Sequence, residues 1–456
     1  MPSSNAVITG LGVVSSIGIG CDEYFDALLA KRSGVRSLAE RTDDGAKPDG
    51  TVPNGVGEPV GLWIGGPIID FDPKQYVRPR KSLKVMCREI QTAFAASQLA
   101  IEHAGLAESL PATDDGKIRP ADVGTVFGCE MYYGPPQEMV DPIAECIRED
   151  GTIDEGNFGG AARRGVMPLW MLKYLPNMPA CHVGISVNAH GPNNSLVLGD
   201  VSGPAALIES ISCLDRGIAK IVITGASGTR INTTRMNYRN DLPIASVSDS
   251  IEHSSRPHDE RSQGVVGGEG AGVLVLETAQ HARDRGAKVI ARVVGYASRF
   301  VGSAGMSRSV RTDSIDDPQA RGSAVAIGLA IDAAMQVAGI SPRDIGLIVS
   351  HAMGDPVIDA AERDALSAEL RQTPMVCPMA SLGHTGAASG TIAIATGALA
   401  LSKGQIPPTV TAQTAAESVR VFADAAPLKK HHVLCLSHTS EGSATAIILA
   451  SASVAG

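Results

Sequence analysis

Asp122–Met131, DVGTVFGCEM, is a short apolar string closed by polar residues, and it returns in the second half of the chain as Asp344–Met353, DIGLIVSHAM. Each begins with Asp, runs through buried-type apolar residues and ends on Met. A second pair reinforces the first: Ser202-Gly203 opens a helical stretch that stops at Gly217, and Ser389-Gly390 opens one that stops at Gly404. In both, a basic residue precedes the final Gly, a C-terminal helix signal. Repeats of strand-plus-helix units at long range predict two similar halves, the first enlarged by loops. The polar, Gly/Pro/Asp-rich residues 37–75 and 106–121 read as such loops.

Outward from these repeats, β-branched strings recur at Ala6–Thr9, Ile221–Thr224, Gly272–Leu276, Val289–Val294, Val433–Leu436 and Ala446–Leu449. Ala-rich helical stretches lie between several of them, the longest at Ser82–Ala104. Near-continuous apolar strands alternating with helices predict an α/β fold whose sheets are covered on both faces. The 456 residues suffice for two halves, placed at 1–277 and 278–456. Aromatics are only 4% of the chain while Gly numbers 50, so the core must rest on Ala, Val, Ile and Leu.

Composition removes several functions. The net charge is −9 and no basic stripe appears, which argues against nucleic acid. No apolar run reaches the roughly 18 residues of a membrane span. The N-terminus lacks the basic and apolar regions of a signal peptide. Eight Cys stand singly without CxxC spacing, so reduced thiols and a cytoplasmic protein are expected. Gly10-Leu11-Gly12 lacks the rest of a dinucleotide fingerprint, and GGEGAG (Gly267–Gly272) precedes a strand instead of opening a helix, so no nucleotide site is assigned. No metal motif occurs, and neither cofactor nor metal is expected.

Two His stand apart. His351 follows a buried-type strand, and His384 sits in the small-residue loop SLGHTGAASG (381–390). Open α/β sheets place their sites at the carboxyl ends of strands. The matching loop of the first half, GPNNSLVLGDVSG (191–203), sets Asp200 at a helix start. Helix mechanics alone make Asp200 an N-cap, worth about 1 kcal/mol; the alternative is a carboxylate aimed into a cavity shared with the two His.

The motifs together resemble the β-ketoacyl synthase family, the condensing enzymes of fatty-acid and polyketide assembly. The resemblance runs through VITGLGVVSSIG (7–18), PLWMLKYLPNMPACHVGISVNAHGPNNS (168–195), SRPHDERSQGVVGGEGAGVLVLE (255–277), HAMGDPVIDAAE (351–362), SLGHTGAASG (381–390) and GQIPPT (404–409). It implies a thiolase-like fold, two pseudo-duplicated halves in five αβαβα layers, and a dimer. In that family a Cys at a helix N-terminus attacks an acyl thioester and two His polarise a malonyl thioester. The His match His351 and His384; the Cys position is Asp200. A Lys five residues before the second His becomes Met379, and two Thr after the first His become Met353 and Asp355, making these three candidate pocket residues. The Phe-rich gatekeeper loop becomes SHTSEGSAT (437–445), read as lacking an aromatic ring.

A carboxylate is a poor nucleophile towards a thioester, so the resemblance implies chemistry without an acyl-enzyme. Non-standard acyl transfer with Asp200 as base, condensation or decarboxylation through the His pair remain, and Asp200 is expected to be anionic and to ease protonation of the His. The alternative is a chain-length-factor-like partner without catalysis. Acyl carrier protein or a CoA thioester is the expected partner molecule, in a homodimer or a heterodimer with a ketosynthase. Arg78, Arg80, Lys81 and Lys84 form the densest basic cluster for carrier docking, next to the bland reading of a solvated helix start.

Overall fold

The computed structural model describes residues 5–38, 64–232, 242–245, 250–303 and 321–453. Ten strands carry the architecture. The first half supplies β1 (Ala6–Ser15), β2 (Val123–Cys129), β3 (Asn193–Val197), β4 (Ile221–Thr229) and β5 (Gly267–Thr278). The second supplies β6 (Ala291–Phe300), β7 (Ile345–Val349), β8 (Met375–Val376), β9 (His432–His438) and β10 (Ser443–Ser451). Their hydrogen-bonded order is β8-β7-β9-β10-β6-β1-β5-β4-β2-β3. Each half therefore runs third–second–fourth–fifth–first. The sense of pairing repeats as well: β2 pairs parallel with β3 and β4, and β7 parallel with β8 and β9. Antiparallel pairs follow in both halves, β4–β5 and β5–β1 against β9–β10 and β10–β6. The duplicated α/β fold expected from the repeats is present.

Helix α1 (Arg88–His103) covers β1 and β5 on one outer face, and α3 (Ala324–Ala338) covers β6 and β10 on the other. Between the two halves of the sheet lie α2 (Ser202–Asp215) and α5 (Ala388–Lys403), giving five layers. The middle layer is aliphatic: Leu207, Ile211, Ile392, Ala395 and Leu399 are buried in one cluster with strand residues of both halves. Burying a Leu or Ile contributes about 2 kcal/mol, and straight-sided Ala lets the helices approach. The helix starts come closest. A Cβ at Gly203 would meet Thr391 at 2.6 Å, and one at Gly390 would meet Pro204 at 2.5 Å. The repeated Ser-Gly pairs thus bring the two helix N-termini together, and with them the two loops that carry the candidate site residues Asp200 and His384.

One helix differs from its expected span. Ser82–Val85 belong to a 3-10 turn (Arg80–Val85), Met86 and Cys87 are extended, and α1 begins at Arg88. Met86 and Cys87 turn their side chains into the apolar cluster beneath α1, which a continuous helix would not allow. The loop reading of 37–75 falls partly on residues outside those described, and Ile64–Gly66 within it forms a short strand beside β5. No described helix is long and apolar enough to cross a membrane. All eight Cys are unpaired.

Candidate active site

Four elements converge between the halves. Asp200 lies in the 3-10 turn Gly199–Val201 directly before α2, after Gly199 takes φ +65°, a value that favours glycine. His351 follows β7. His384 is pinned by backbone bonds from its N–H to Val266 O and from Gly268 N–H to its own carbonyl, both 2.8 Å. A Cβ at Gly268 would meet Leu382 O at 2.3 Å, so the glycine run that failed as a nucleotide motif serves to press β5 against the His384 loop. Arg230 follows β4.

The N-cap expectation for Asp200 does not hold. No side chain caps α2, whose leading residue is Val201. Instead Asp200 Oδ1 accepts from Arg230 at 2.9 Å, and Oδ2 accepts from His384 Nε2 at 3.1 Å. His351 Nε2 stands 3.8 Å from the same Oδ2. Asp200 is 4% exposed and both imidazoles are 0% exposed. The reason is energetic: for a carboxylate removed from water, the Arg230 guanidinium and the His384 hydrogen bond outweigh one N-cap bond.

The charge states follow. Burial opposes ionisation of Asp200, yet His384, Arg230 and the hydrogen bond from His384 hold its carboxyl well below the usual range. His351 moves opposite to the expectation of easier protonation: burial, with His438 beside it, pushes it down to about 4 despite Asp200. Burial is the largest cause and outweighs the pull of the Asp200 carboxylate. Neither ring nitrogen of His351 has a hydrogen-bond partner among the described residues.

Behind His351 lies a second carboxylate cluster. Glu362, on α4 (Pro356–Ala365), is fully buried. It accepts from His438 Nε2 at 2.7 Å, from the His351 backbone N–H at 3.0 Å and from Ser350 Oγ at 2.5 Å. Ser350 Oγ in turn accepts from His258 Nε2 at 3.0 Å, and His258 Nε2 lies 3.5 Å from Glu362 itself. The imidazoles of His351 and His438 meet edge to face at 4.9 Å.

A model of the β-ketoacyl synthase N-terminal domain matches residues 4–282, and one of the C-terminal domain matches 297–413. The chain belongs to the β-ketoacyl synthase family. A putative polyketide β-ketoacyl synthase 1 of Streptomyces cyaneus is 28% identical over 450 residues, covering 97% of each chain. A 3-oxoacyl-[acyl-carrier-protein] synthase 2 of Synechocystis sp. is 27% identical over 420 residues, 90% of this chain and 88% of that one. Among solved structures, the ishigamide ketosynthase/chain length factor superposes with TM-score 0.75 at 22% identity, over 99% of this chain and 100% of the other. A β-ketoacyl synthase from Burkholderia phymatum gives 0.77 at 22% over the same shares. The fold is the thiolase-like ketosynthase fold.

Against that family frame, Met353 and Met379 pack with Val265 and Ile358 in a small apolar cluster, partly facing Leu242. Asp355 caps α4, accepting from Val357 N–H at 3.0 Å and pairing with Arg321 at 3.1 Å. Arg78, Arg80, Lys81 and Lys84 are exposed. Two cavities, of about 810 and 710 Å³, open elsewhere; Arg343 and Phe422 line the first, Lys84 and Arg88 the second, and neither touches Asp200, His351 or His384. The reading of 437–445 as lacking an aromatic ring is corrected by the His438 imidazole. Arg230, His258, Glu362 and His438 were not singled out in the sequence. The position of Arg230 one residue beyond a strand's carboxyl end was the available signal.

One ligand atom from each of Asp200, His351 and His384 lies within 4.8 Å of the others, a set a divalent ion could use. Arg230 on the same carboxylate competes for it, and neither His has the outer hydrogen bond on Nδ1 that usually orients a metal ligand, among the described residues.

Proposed function

We propose that this ketosynthase-family protein acts on malonyl-type thioesters in fatty-acid or polyketide-type biosynthesis, losing CO₂ through the His351–His384 pair without an acyl-enzyme. The observation that carries it is the convergence of both Nε2 atoms on one acceptor oxygen, Asp200 Oδ2, at 3.1 and 3.8 Å. Such convergence suits an enolate oxygen, which needs donors aimed where charge develops. The bond between Cα and the malonyl carboxylate breaks, CO₂ leaves, and the electron pair moves to the thioester oxygen facing the two Nε2–H groups. Cα then takes a proton from water, giving an acetyl thioester; with an acceptor thioester in place, the same enolate would instead attack it.

Two features favour this over acyl transfer with Asp200 as base. A carboxyl held far below neutrality is a weak base. Arg230 also cancels the carboxylate charge that would repel an enolate. The substrate oxygen takes the place of Oδ2, with Asp200 remaining on Arg230. Carrier protein or CoA supplies the thioester, and the exposed Arg78, Arg80, Lys81 and Lys84 suit the acidic carrier.

The test is release of labelled CO₂ and formation of acetyl thioester from malonyl-CoA and malonyl carrier protein. Wild type should be active, with His351→Ala and His384→Ala each at least about a hundredfold slower, and intact-protein mass spectrometry should show no persistent acyl adduct. A wild-type rate equal to buffer overturns the reading. In that case the second reading, a chain-length-factor-like partner, gains: the full burial of both imidazoles favours it. It requires a stable heterodimer with a Cys-bearing ketosynthase.

A further inference from the structure

We infer that His258, Glu362 and His438 form a buried positioning unit for His351, Glu362 fixing its backbone and His438 its ring. The inference rests on the decarboxylation reading only for its kinetic readout.

The unit is built from four separate segments of chain. Glu362 comes from α4, Ser350 and His351 from the end of β7, His438 from the end of β9, and His258 from the loop before β5. All four side chains around the carboxylate are at most 1% exposed. A buried carboxylate is retained only if its lone pairs are satisfied. Here one oxygen takes His438 Nε2–H and the His351 N–H, and the other takes Ser350 Oγ–H. His258 Nε2 sits within reach of both Ser350 and Glu362. No guanidinium or ammonium among the described residues pairs with Glu362, so an imidazole must supply the counter-charge.

His258 is held there at backbone cost. Its φ is +60°, unusual for a residue with a Cβ, and its N–H donates to the buried Asp359 at 2.8 Å. His258 occupies the Phe position of the family's Arg-Pro-Phe-Asp run, and His438 lies in the loop the family fills with Phe. Two positions expected to be apolar thus carry imidazoles, and both imidazoles end on one carboxylate. His438 then meets the His351 ring edge to face at 4.9 Å between centroids, and His384 meets the same ring at 6.0 Å. The His351 ring has no hydrogen bond of its own to orient it among the described residues, so these packing contacts and the loose approach to Asp200 define where its Nε2 points.

The experiment compares His438→Phe with His438→Gln in the full-length protein. Phe keeps the ring but removes the donor to Glu362; Gln keeps a donor. We expect His438→Phe to lower kcat about tenfold with KM within about twofold, and His438→Gln to restore most of it. The second readout needs no turnover. Nitrogen NMR of ¹⁵N-histidine-labelled protein should show His351 neutral across pH 5–8 in wild type. The groups facing that ring are His438, His384 and Asp200, with Glu362 and His258 behind. In His438→Phe the His351 titration should shift upward, and the NMR resonances of its ring should broaden. His258→Gln, which touches neither His351 nor Asp200, serves as a second variant and should shift it in the same direction. Unchanged kcat and unchanged His351 titration in both variants overturn the inference. If wild type lacks decarboxylase activity, the proposed function fails while the NMR comparison still decides the positioning role.

Discussion

Asp200 and Glu362 are two buried carboxylates, each approached by two imidazoles, on either side of His351. They differ in one partner. Asp200 has the guanidinium of Arg230, a cation at every accessible pH, and the neighbouring His351 is pushed by burial down to about 4. Glu362 has no such partner among the described residues, and there burial of His258 is overcome by Cys377 and Glu362, raising it to about 10. The same residue types therefore produce neutral histidine on one side and protonated histidine on the other. What decides is the balance between burial, which wins at His351, and the neighbouring Cys377 and Glu362, which overcome it at His258.

The most damaging way to break this contrast is to remove the uncompensated anion. Glu362→Ala leaves His438 without its acceptor and His258 with Ser350 alone in a dry interior, and should cost about 3–5 kcal/mol in urea unfolding. Arg230→Met is expected to be next, at about 2–4 kcal/mol. It should also leave Asp200 without its guanidinium, so that NMR shows His351 taking up a proton more readily. Combining it with Asp200→Asn should recover much of that loss, and a coupling energy near zero between the two sites would show that the pair is not the controlling feature.

The pH dependence sharpens the comparison further. His351 binds a proton less readily folded than unfolded, so its contribution to stability is present above about 6.5 and is lost as pH falls towards 4. His258 has the opposite sign: its contribution is full below about 6.5 and is lost as pH rises through 10. Unfolding free energy measured from pH 5 to 10 should fall at both ends, and His258→Gln should flatten only the alkaline side. The smallest expected effect is on rate. Asp200→Ala should remove the internal competitor for the two Nε2–H groups and raise malonyl decarboxylation by about tenfold, or about 1.4 kcal/mol. A fall in rate would assign Asp200 a direct role in the chemistry.

How much of this was legible differs by residue. Asp200, His351 and His384 were found from motif spacing, because repeated Ser-Gly helix starts and strand ends mark equivalent places in two halves. The side chain of Asp200 was harder: a local rule favoured capping, and only long-range partners overrule it. Arg230 sits in the sequence as one Arg among many. His258 and His438 lay inside quoted motifs, but their value depends on Glu362 arriving from a third segment. The start of α1 was placed early because local periodicity does not reveal that Met86 and Cys87 are drawn into the apolar cluster below.

The amino-acid order by itself determined the duplicated α/β plan, the aliphatic core and the family motifs, since periodicity and motif spacing are local properties of a chain. Which imidazole is neutral, which is charged and which carboxylate is matched by a guanidinium were decided only in three dimensions. Those outcomes depend on burial and on groups a few ångströms apart that stand from 30 to 184 residues apart in sequence.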